Sequence, residues 1–464
     1  SHTNLVQLRL GGNSIGRSGC VALGNLIENP TSRLEDLRID GNGIDDGCVD
    51  ILTNALSRDN KLKKLALSQN EDITDVGWRS LSAVLRPPGC MALVEIDLSE
   101  SGLDDEGAEA IANALAINKT LKILHLCYNE GIGPDGWLAF FDMMQNSESA
   151  LEEINLSENV GIDDEAAVAM TYSFASLQHL KILRLDENRN IQVRGWQAIA
   201  YLVNRCQSTL VELDLSSNEI EDAAAAALSY ALTNSPSLKV LNLQSNISIG
   251  TVGWRAFASF LQSSVVEDLK LSMNIMNDEA LVALADAFAT MRSLKYLSLA
   301  GLSPILSMNG CRALSAVLGE PNSALKAVKL YTNKIGDEGA VAFASVLEVS
   351  GNSTLEILDI QSNRIGAVGW QAFSQLICNE TSIMDTYSSN HCLHHICQEH
   401  ISNAPCELLS LLKLNRQGNK NEVARQKILR AHFYQKDINA QAFILMDLKV
   451  LPLAMAWMGK DYMG

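Results

Sequence analysis

A nine-residue pattern, Leu-x-x-Leu-x-Leu-x-x-Asn, recurs along this chain and limits what the chain can fold into. Residues 34–42 and 121–129 are two clear copies. Successive copies are 28 to 31 residues apart, and thirteen of them are clear. The Asn position is occupied by Asn13, Asn42, Asn70, Ser101, Asn129, Asn159, Asn188, Asn218, Asn246, Asn274, Leu302, Asn333 and Asn363. Such a period predicts a stacked repeat array.

Each copy predicts one short strand and one helix. Alternate Leu or Ile side chains of the strand point inward, and the following loop leads to about ten residues with helical apolar spacing. One repeat cannot bury its own apolar face, so neighbours must stack into an inner parallel sheet and an outer layer of helices. A degenerate fourteenth copy is expected next, with Asp385 and Tyr387 at strand positions and Asn390 at the Asn position.

The helices alternate between a large and a small core residue, so the true period is two repeats. A Gly-Trp pair opens every second helix, at residues 77–78, 136–137, 195–196, 253–254 and 369–370. The intervening helices have Ala108, Ala167, Ala225 and Ala340 instead, and Cys20 and Cys311 occupy the Trp position where Trp is missing. We expect these Trp side chains to pack in the core. A ligand-binding aromatic row is the alternative.

These residues resemble the ribonuclease-inhibitor-like subfamily of leucine-rich-repeat proteins, whose units alternate between two types and each contain a helix. The resemblance covers residues 5 to about 390. It implies an α/β leucine-rich-repeat solenoid (horseshoe) with an inner parallel sheet and outer helices. The subfamily includes the Ran GTPase-activating protein and the sensor arrays of intracellular immune receptors, so it specifies a fold and not a function.

The C-terminal residues 391–464 leave the repeat pattern and predict a helical C-terminal cap. Helices are expected near 404–416, 420–433 and 440–458. The segment 408–428 resembles the C-terminal block of uncharacterised algal leucine-rich-repeat proteins. The predicted domains are therefore a repeat array over 1–390 and a cap over 391–464, which would cover the end of the sheet.

Two clusters suggest metal sites but also have plainer explanations. Acidic pairs such as Asp45-Asp46 and Asp163-Asp164 begin alternate helices. Carboxylates at this place cap backbone amides; a row of calcium sites is the alternative.

The Cys- and His-rich run 391–406 lacks the spacing of known zinc modules. It is expected to be part of the helical cap, with zinc or a disulfide as alternatives. No metal and no cofactor is predicted.

The net charge and the cysteines of the chain indicate what kind of partner and which cellular compartment to expect. The chain has a formal net charge of −18, so nucleic acid is not expected as a partner and a basic protein fits better. Several of the ten cysteines fall at core positions of the repeat. Buried free thiols are typical of a reducing, cytoplasmic compartment. The longest apolar stretch contains Asp447, Lys449 and Pro452, which disfavours a membrane span.

No nucleotide-binding loop, nucleophile elbow or zinc-protease motif occurs in the sequence, so an enzyme is not predicted. The leading hypothesis is a non-catalytic scaffold that captures a protein partner on its concave face. The alternatives are a GTPase-activator-like regulator and a structural subunit of a larger assembly. The candidate partner-binding residues are Arg38, Asp97, His125, Tyr128, Arg184, Asp186, Asp214, Lys270, Lys329 and Tyr331. They have the composition of interface hot spots, although an ordinary solvated surface would look similar.

Overall fold

A computed structural model describes residues 4–58, 61–89, 92–145, 147–233, 235–304, 306–397, 404–417 and 419–432. By its internal contacts the chain divides into two compact units, Ser1–Ile249 and Gly250–Gly464. This division falls inside the repeats, so the predicted boundary between an array and a cap near residue 390 stays a prediction.

Every clear copy of the sequence pattern forms a three-residue strand, as predicted. The strands are β1 (Gln7–Arg9), β2 (Asp36–Arg38), β3 (Lys64–Ala66), β4 (Glu95–Asp97), β5 (Ile123–His125), β6 (Glu153–Asn155), β7 (Ile182–Arg184), β8 (Glu212–Asp214), β9 (Val240–Asn242), β10 (Asp268–Lys270), β11 (Tyr296–Ser298), β12 (Ala327–Lys329) and β13 (Ile357–Asp359). In the first unit β1 to β9 pair in parallel with their sequence neighbours. In the second unit β10 to β13 do the same.

A helix follows each strand. The repeat helices are α1 (Gly16–Glu28), α2 (Asp46–Leu56), α3 (Asp75–Leu85), α4 (Asp105–Leu115), α5 (Pro134–Met143), α6 (Asp164–Phe174), α7 (Val193–Arg205), α8 (Asp222–Leu232), α9 (Thr251–Leu261), α10 (Asp278–Thr290), α11 (Met308–Leu318), α12 (Gly336–Ser350) and α13 (Ala367–Ile377). Within each unit, strand followed by helix followed by parallel strand gives the α/β solenoid that the sequence predicted.

The core lies between the strands and the helices. The middle residue of nearly every strand is buried, and so are the repeated Leu and Ile positions that flank it. Trp78, Trp137, Trp196 and Trp254 are fully buried and Trp370 is nearly so. Cys20 and Cys311, in the Trp position, are buried too. The packing interpretation of the Trp row is therefore confirmed.

The repeated Asn residues connect neighbouring repeats through their amides. Asn159 donates to the carbonyls of Leu126 and Leu156 at 3.0 and 2.9 Å, and its Oδ1 accepts the N–H of Asn129 at 2.9 Å. The residue before each of these positions has a left-handed backbone, whether Gly or not. The Asn side chain thus satisfies backbone groups that the turn at the strand end leaves unpaired.

Three further helices follow α13 in the second unit: α14 (Ile383–Ser388), α15 (Cys406–Asn415) and α16 (Lys420–His432). The last two confirm the helices expected near 404–416 and 420–433, whereas the helix expected near 440–458 lies outside the described residues. The fully buried Lys427 anchors α16 by donating to the carbonyls of Ile377 at 2.6 Å and Asn390 at 2.9 Å.

The predicted position of the fourteenth repeat was wrong. Asp385 and Tyr387 lie on α14 and not on a strand. The residue that pairs with Ile357 of β13 is His395. Asn390 accepts the N–H of Leu393 at 2.8 Å, as Asn352 does for Leu355 one repeat earlier. It is therefore the counterpart of Asn352, which precedes a strand, and not of the Asn that follows one.

Candidate functional site

The third residue of each strand in the first unit points away from the helices, and these residues form a row across the sheet. Parallel register places Asp97 beside His125, and Arg184 beside Asp214. Because adjacent strands lie about 4.8 Å apart, these side chains can contact one ligand together. Five of the ten predicted residues, Arg38, Asp97, His125, Arg184 and Asp214, lie in this row.

Arg184 is held by the two neighbouring strands and is not free for a partner. Its guanidinium forms an ion pair with Glu153 of β6 and another with Glu212 of β8, the latter at 2.9 Å. All three side chains are largely shielded from solvent. Burial disfavours the charge of Arg184, but the two glutamates outweigh that cost and raise its pKa. Arg184 therefore braces three strands.

Arg38 is engaged in a similar way on β2. Its Nε lies 3.2 Å from Asp36 and its guanidinium 3.8 Å from Glu95 of β4. Lys64 of β3 also pairs with Glu95. The positive charges of Arg38 and Lys64 are thus balanced by Asp36 on β2 and Glu95 on β4.

The carboxylates of Asp186 and Asp214, near the strand ends, accept hydrogen bonds from uncharged Ser and Asn side chains. Asp214 accepts from Ser216 Oγ at 2.7 Å and from Asn242 Nδ2 at 2.9 Å. Asp186 accepts from Ser157 Oγ. Burial and the nearby Asp214 and Glu187 raise the pKa of Asp186. These carboxylates crowd each other, so a cation placed among them would relieve repulsion.

Tyr128 lies among glutamates at the edge of this surface. It directly precedes Asn129 and has a left-handed backbone, as do Glu100 and Glu158 at the same position of the neighbouring repeats. Its ring is exposed. The negative charge of Glu130, and after it those of Glu100 and Glu158, raise the pKa of Tyr128. An exposed aromatic face ringed by carboxylates is suited to a guanidinium or an ammonium group.

Acidic groups outnumber basic ones on the sheet face and strand ends of the first unit. The acidic residues are Asp36, Asp40, Glu95, Asp97, Glu100, Glu153, Glu158, Asp186, Glu187, Glu212 and Asp214, and the Lys and Arg residues are Arg9, Arg38, Lys64 and Arg184. Sequence reasoning missed Glu100 and Glu158. Their position, one residue before the repeated Asn, was visible in the sequence and would have identified them.

The second unit carries the other three predicted residues. Lys270 and Lys329 lie on either side of Ser298 in one row across β10, β11 and β12. Tyr331 follows Lys329 at the strand end and is half-buried. The exposed ring of Tyr296, at the first position of β11, lies on the same face. Asp268 lies in register with Tyr296 and Asp359 with Lys329, so this face carries both charges and is not predominantly acidic as in the first unit.

The metal alternatives find no support in the described part of the chain, where no group of three or more His, Cys, Asp or Glu side chains is arranged to hold a metal ion. In the Cys- and His-rich run, both ring nitrogens of His391 are engaged. Nε2 lies 3.0 Å from the carbonyl of Tyr387 and Nδ1 lies 3.1 Å from Nζ of Lys427. His400 lies outside the described residues. Across the described helices, none is both long and apolar enough to cross a membrane.

A family model described as "Leucine Rich repeat" matches residues 1–24, 58–82, 89–112, 206–229, 322–344 and 351–374. The ribonuclease inhibitor of Sus scrofa is 25% identical over 395 residues, which cover 85% of this chain and 78% of the inhibitor.

One further curated protein and one solved structure are also similar to parts of this chain. "NACHT, LRR and PYD domains-containing protein 14" of Homo sapiens is 29% identical over 246 residues, 52% of this chain, and the match spans only 22% of that protein. A crystal structure of the Rad7 and Elc1 complex in yeast contains a chain with 18% identity and a TM-score of 0.47, with 84% of this chain and 91% of that chain covered.

Proposed function

Since the chain belongs to the ribonuclease-inhibitor-like family of leucine-rich-repeat proteins, we propose that it is a non-catalytic scaffold that captures a basic protein partner. The partner binds on the sheet face of the first unit, against the carboxylates at the strand ends. The observation that carries this proposal is the position of Tyr128 between Glu100 and Glu158. The similarity to a ribonuclease inhibitor supports a binding role, because the name of that protein says that it acts on another protein.

Within this proposal the ten predicted residues have different roles. Asp97, Asp186, Asp214 and Tyr128 contact cationic side chains of the partner, and His125 lies beside Asp97. Arg38 and Arg184 hold the strands and their glutamates in place. Lys270, Lys329 and Tyr331 belong to the second unit and form a separate contact surface there. The buried thiols of both units support a reducing, cytoplasmic compartment.

Partner capture with matched charge variants tests this function. The triple variant D97N/D186N/D214N removes three carboxylates but keeps an oxygen that can accept the hydrogen bonds from Ser99, Ser157 and Ser216. The control variant E106Q/E109Q/E165Q removes the same charge from exposed helix positions. We expect the first variant, and not the control, to lose the partner captured from native extract.

The captured partner should also be basic, and its affinity should fall steeply with salt, because exposed charge pairs are screened. The melting temperature of the triple variant should stay close to that of the unaltered chain. If both variants capture the partner equally well, the sheet face of the first unit is not the binding surface.

A further inference from the structure

Two cysteines of the first unit face each other where α1 packs against α2. Cys20 lies on α1, and Cys48 lies on α2 in the next repeat. Both side chains are buried and both thiols are free. Each thiol is a hydrogen-bond partner of the other. The first two repeats therefore hold two neighbouring thiols in their core.

The sequence departs from the repeat at both of these positions. Cys20 occupies the position of the buried Trp. Cys48 occupies the position directly before the core residue Val49, where every other repeat helix has Gly or Ala. That position is normally small because it meets the preceding helix: a Cβ at Gly107 would lie 2.7 Å from Cδ1 of Trp78. A larger residue fits at position 48 because its neighbour Cys20 is much smaller than Trp.

An equivalent place in the second unit shows how far apart the two Cβ atoms lie. Cys311 of α11 and Gly339 of α12 have the same repeat positions as Cys20 and Cys48. A Cβ at Gly339 would lie 3.6 Å from the Cβ of Cys311 and 2.9 Å from its Sγ. Disulfides have Cβ–Cβ distances of about 3.5 to 4.5 Å. Two cysteines at this pair of positions can therefore bond with little movement of the helices.

Within residues 4–58, α1 lacks two hydrogen bonds that help to hold other repeat helices. Asp46 of α2 accepts the N–H of Gly77 on α3, at 3.0 Å. Arg17, whose side chain cannot accept a hydrogen bond, occupies the position of Asp46 on α1. The N–H of Cys48 bonds instead to Asp45 of its own helix, at 2.8 Å. The start of α1 in this range also has no side-chain cap. We therefore expect α1 to open more readily than an inner repeat helix, and its opening exposes both thiols.

We propose that Cys20 and Cys48 are a site of reversible oxidation, at which a small-molecule disulfide such as glutathione disulfide converts the two thiols into one disulfide bond. When α1 opens, one cysteine thiolate attacks a sulfur of the small disulfide, breaks its S–S bond and releases one small thiolate. The other cysteine thiolate attacks the protein sulfur of this mixed disulfide, forms the bond between Cys20 and Cys48 and releases the second small thiolate. The two cysteine protons pass to the two small thiolates, so two thiols are oxidised and one disulfide is reduced.

The bond joins the first repeat covalently to the second. Burial raises the pKa of Cys20 to about 12 and also raises the pKa of Cys48, so both thiols stay protonated and react slowly while α1 is closed. Once formed, the bond restricts further opening of α1. In a reducing compartment the pair remains as two thiols until small disulfides accumulate. The site lies in the helix layer, so this proposal does not depend on the proposed capture of a basic partner.

Equilibration of the purified full chain with glutathione disulfide and glutathione tests the proposal. The reduced chain is incubated at about pH 8, near the ordinary thiol pKa, with increasing ratios of disulfide to thiol. Remaining thiols are then alkylated, and trypsin cleaves between the two cysteines at Arg33 and Arg38. Mass spectrometry should find fragments 18–33 and 39–58 joined by one bond that dithiothreitol removes. Where this link is complete, hydrogen exchange of the α1 amides should slow more than about tenfold.

A matched pair of variants assigns the effect to these two thiols. C48A should fold, because Ala occupies the same position of α6, α8 and α10. It should abolish the link and give equally fast exchange of α1 in reducing and oxidising buffers. C406A removes an exposed thiol of α15 and should keep both the link and the slower exchange. Separate alkylation of Cys20 and Cys48 at every ratio, or a link that leaves the exchange of α1 unchanged, would overturn the proposal.

Discussion

The carboxylate of Asp164 accepts a hydrogen bond from the backbone N–H of Gly195, at 2.8 Å, although the two residues belong to consecutive helices. Asp46 and Asp337 make the same bond to Gly77 and Gly369, at 3.0 Å each. The acid that begins one helix therefore caps the start of the next. A side chain at this Gly would collide with the carboxylate: a Cβ at position 195 would lie 2.6 Å from Asp164 Oδ1.

This contact predicts that Gly195 and Asp164 are coupled in stability. G195A should lower the free energy of unfolding by about 1 to 3 kcal/mol, because the methyl group overfills the space beside Asp164 and Ile191. D164A should cost about 1 to 2 kcal/mol, the usual effect of losing a helix cap. The double variant should be more stable than the sum of the two losses predicts, since D164A removes one of the atoms that the new methyl group meets.

Urea unfolding of the two single variants and the double variant measures this coupling. E165A is the matched control, because Glu165 follows Asp164 but its carboxylate forms a distant, exposed ion pair with Arg194 at 3.7 Å. Strictly additive losses would show that the collision between Gly195 and Asp164 does not decide the choice of glycine.

Asn159 should contribute more to stability than an exposed Asn of the same repeat region. N159A leaves the carbonyls of Leu126 and Leu156 and the N–H of Asn129 without their partner, all of them buried. We expect a loss of about 1 to 3 kcal/mol in the free energy of unfolding. The control N190A removes one exposed hydrogen bond, to the carbonyl of Val160, and should cost less. Equal losses in the two variants would contradict the structural role of the repeated Asn.

The alternation of Trp and Ala could be predicted because each helix presents one core position whose size appears directly in the sequence. The second role of Asp164 could not, because Asp164 and Gly195 are 31 residues apart and their contact depends on how neighbouring helices are offset. A carboxylate at a helix start points first to capping its own helix, as Asp163 does for α6.

The register error at Asp385 and Tyr387 has a local cause. Ser382 accepts the N–H of Asp385 at 3.1 Å and so begins the extra helix α14, which moves the next strand position to His395. Ser followed three residues later by Asp is a helix-start signal that was visible in the sequence. The sequence correctly predicted which residues occupy the third position of each strand. It did not predict their ion pairs, because Arg184 at the third position of β7 pairs with the first residues of β6 and β8, Glu153 and Glu212.

Arg184 should matter for stability even though it lies on the proposed binding face. R184A leaves Glu153 and Glu212 close together and half-buried without a counter-charge. We expect a loss of about 1 to 2 kcal/mol, between the values for exposed and buried ion pairs. R189A, whose ion pair with Glu187 is largely exposed, should change the stability by less than about 0.5 kcal/mol. A binding defect in R184A without any loss of stability would instead make Arg184 a direct partner contact.

The ion pairs of Glu152 should make the stability difference between E152Q and the unaltered chain depend on pH. It accepts from Lys122 and Lys181, each at 2.6 Å, and these bonds lower its pKa to about 2. A lowered pKa stabilises the fold above the ordinary Glu value of 4.5, and this contribution is lost as the pH falls toward 2. E152Q should therefore be less stable than the unaltered chain by about 1 kcal/mol at pH 7. The difference should shrink steadily in urea titrations below pH 4.5. E106Q, at an exposed helix position, should show no such trend.

Acid should loosen α16 from the end of the repeats, because of Lys427 and His391. Nζ of Lys427 donates to the carbonyls of Ile377 and Asn390 and lies 3.1 Å from Nδ1 of His391. Burial lowers the pKa of His391 to about 4, with the charge of Lys427 adding to the shift, and burial lowers the pKa of Lys427 to about 7. Cys378 and Cys392 are the other titratable groups that act on Lys427.

The lowered pKa of His391 makes the packing of α16 against the repeats depend on pH. Between about pH 4 and its ordinary pKa of 6.5, His391 binds fewer protons when α16 is packed against the repeats than when it is detached. Docking should weaken as the pH falls through that range.

Hydrogen exchange of the α16 amides, corrected for intrinsic rates, measures this effect. Protection should decrease from pH 6.5 toward pH 4 in the unaltered chain, whereas H391Q, which keeps an acceptor for Lys427 but cannot take up a proton, should lose that decrease. K427M should expose α16 at every pH, because two buried carbonyls lose their donor at a cost of about 1 to 3 kcal/mol each. K420M is the control on the same helix, since Lys420 is exposed and makes a 3.3 Å bond to the carbonyl of Ser353. Equal protection of α16 in K427M and K420M would show that the buried ammonium does not hold the helix in place.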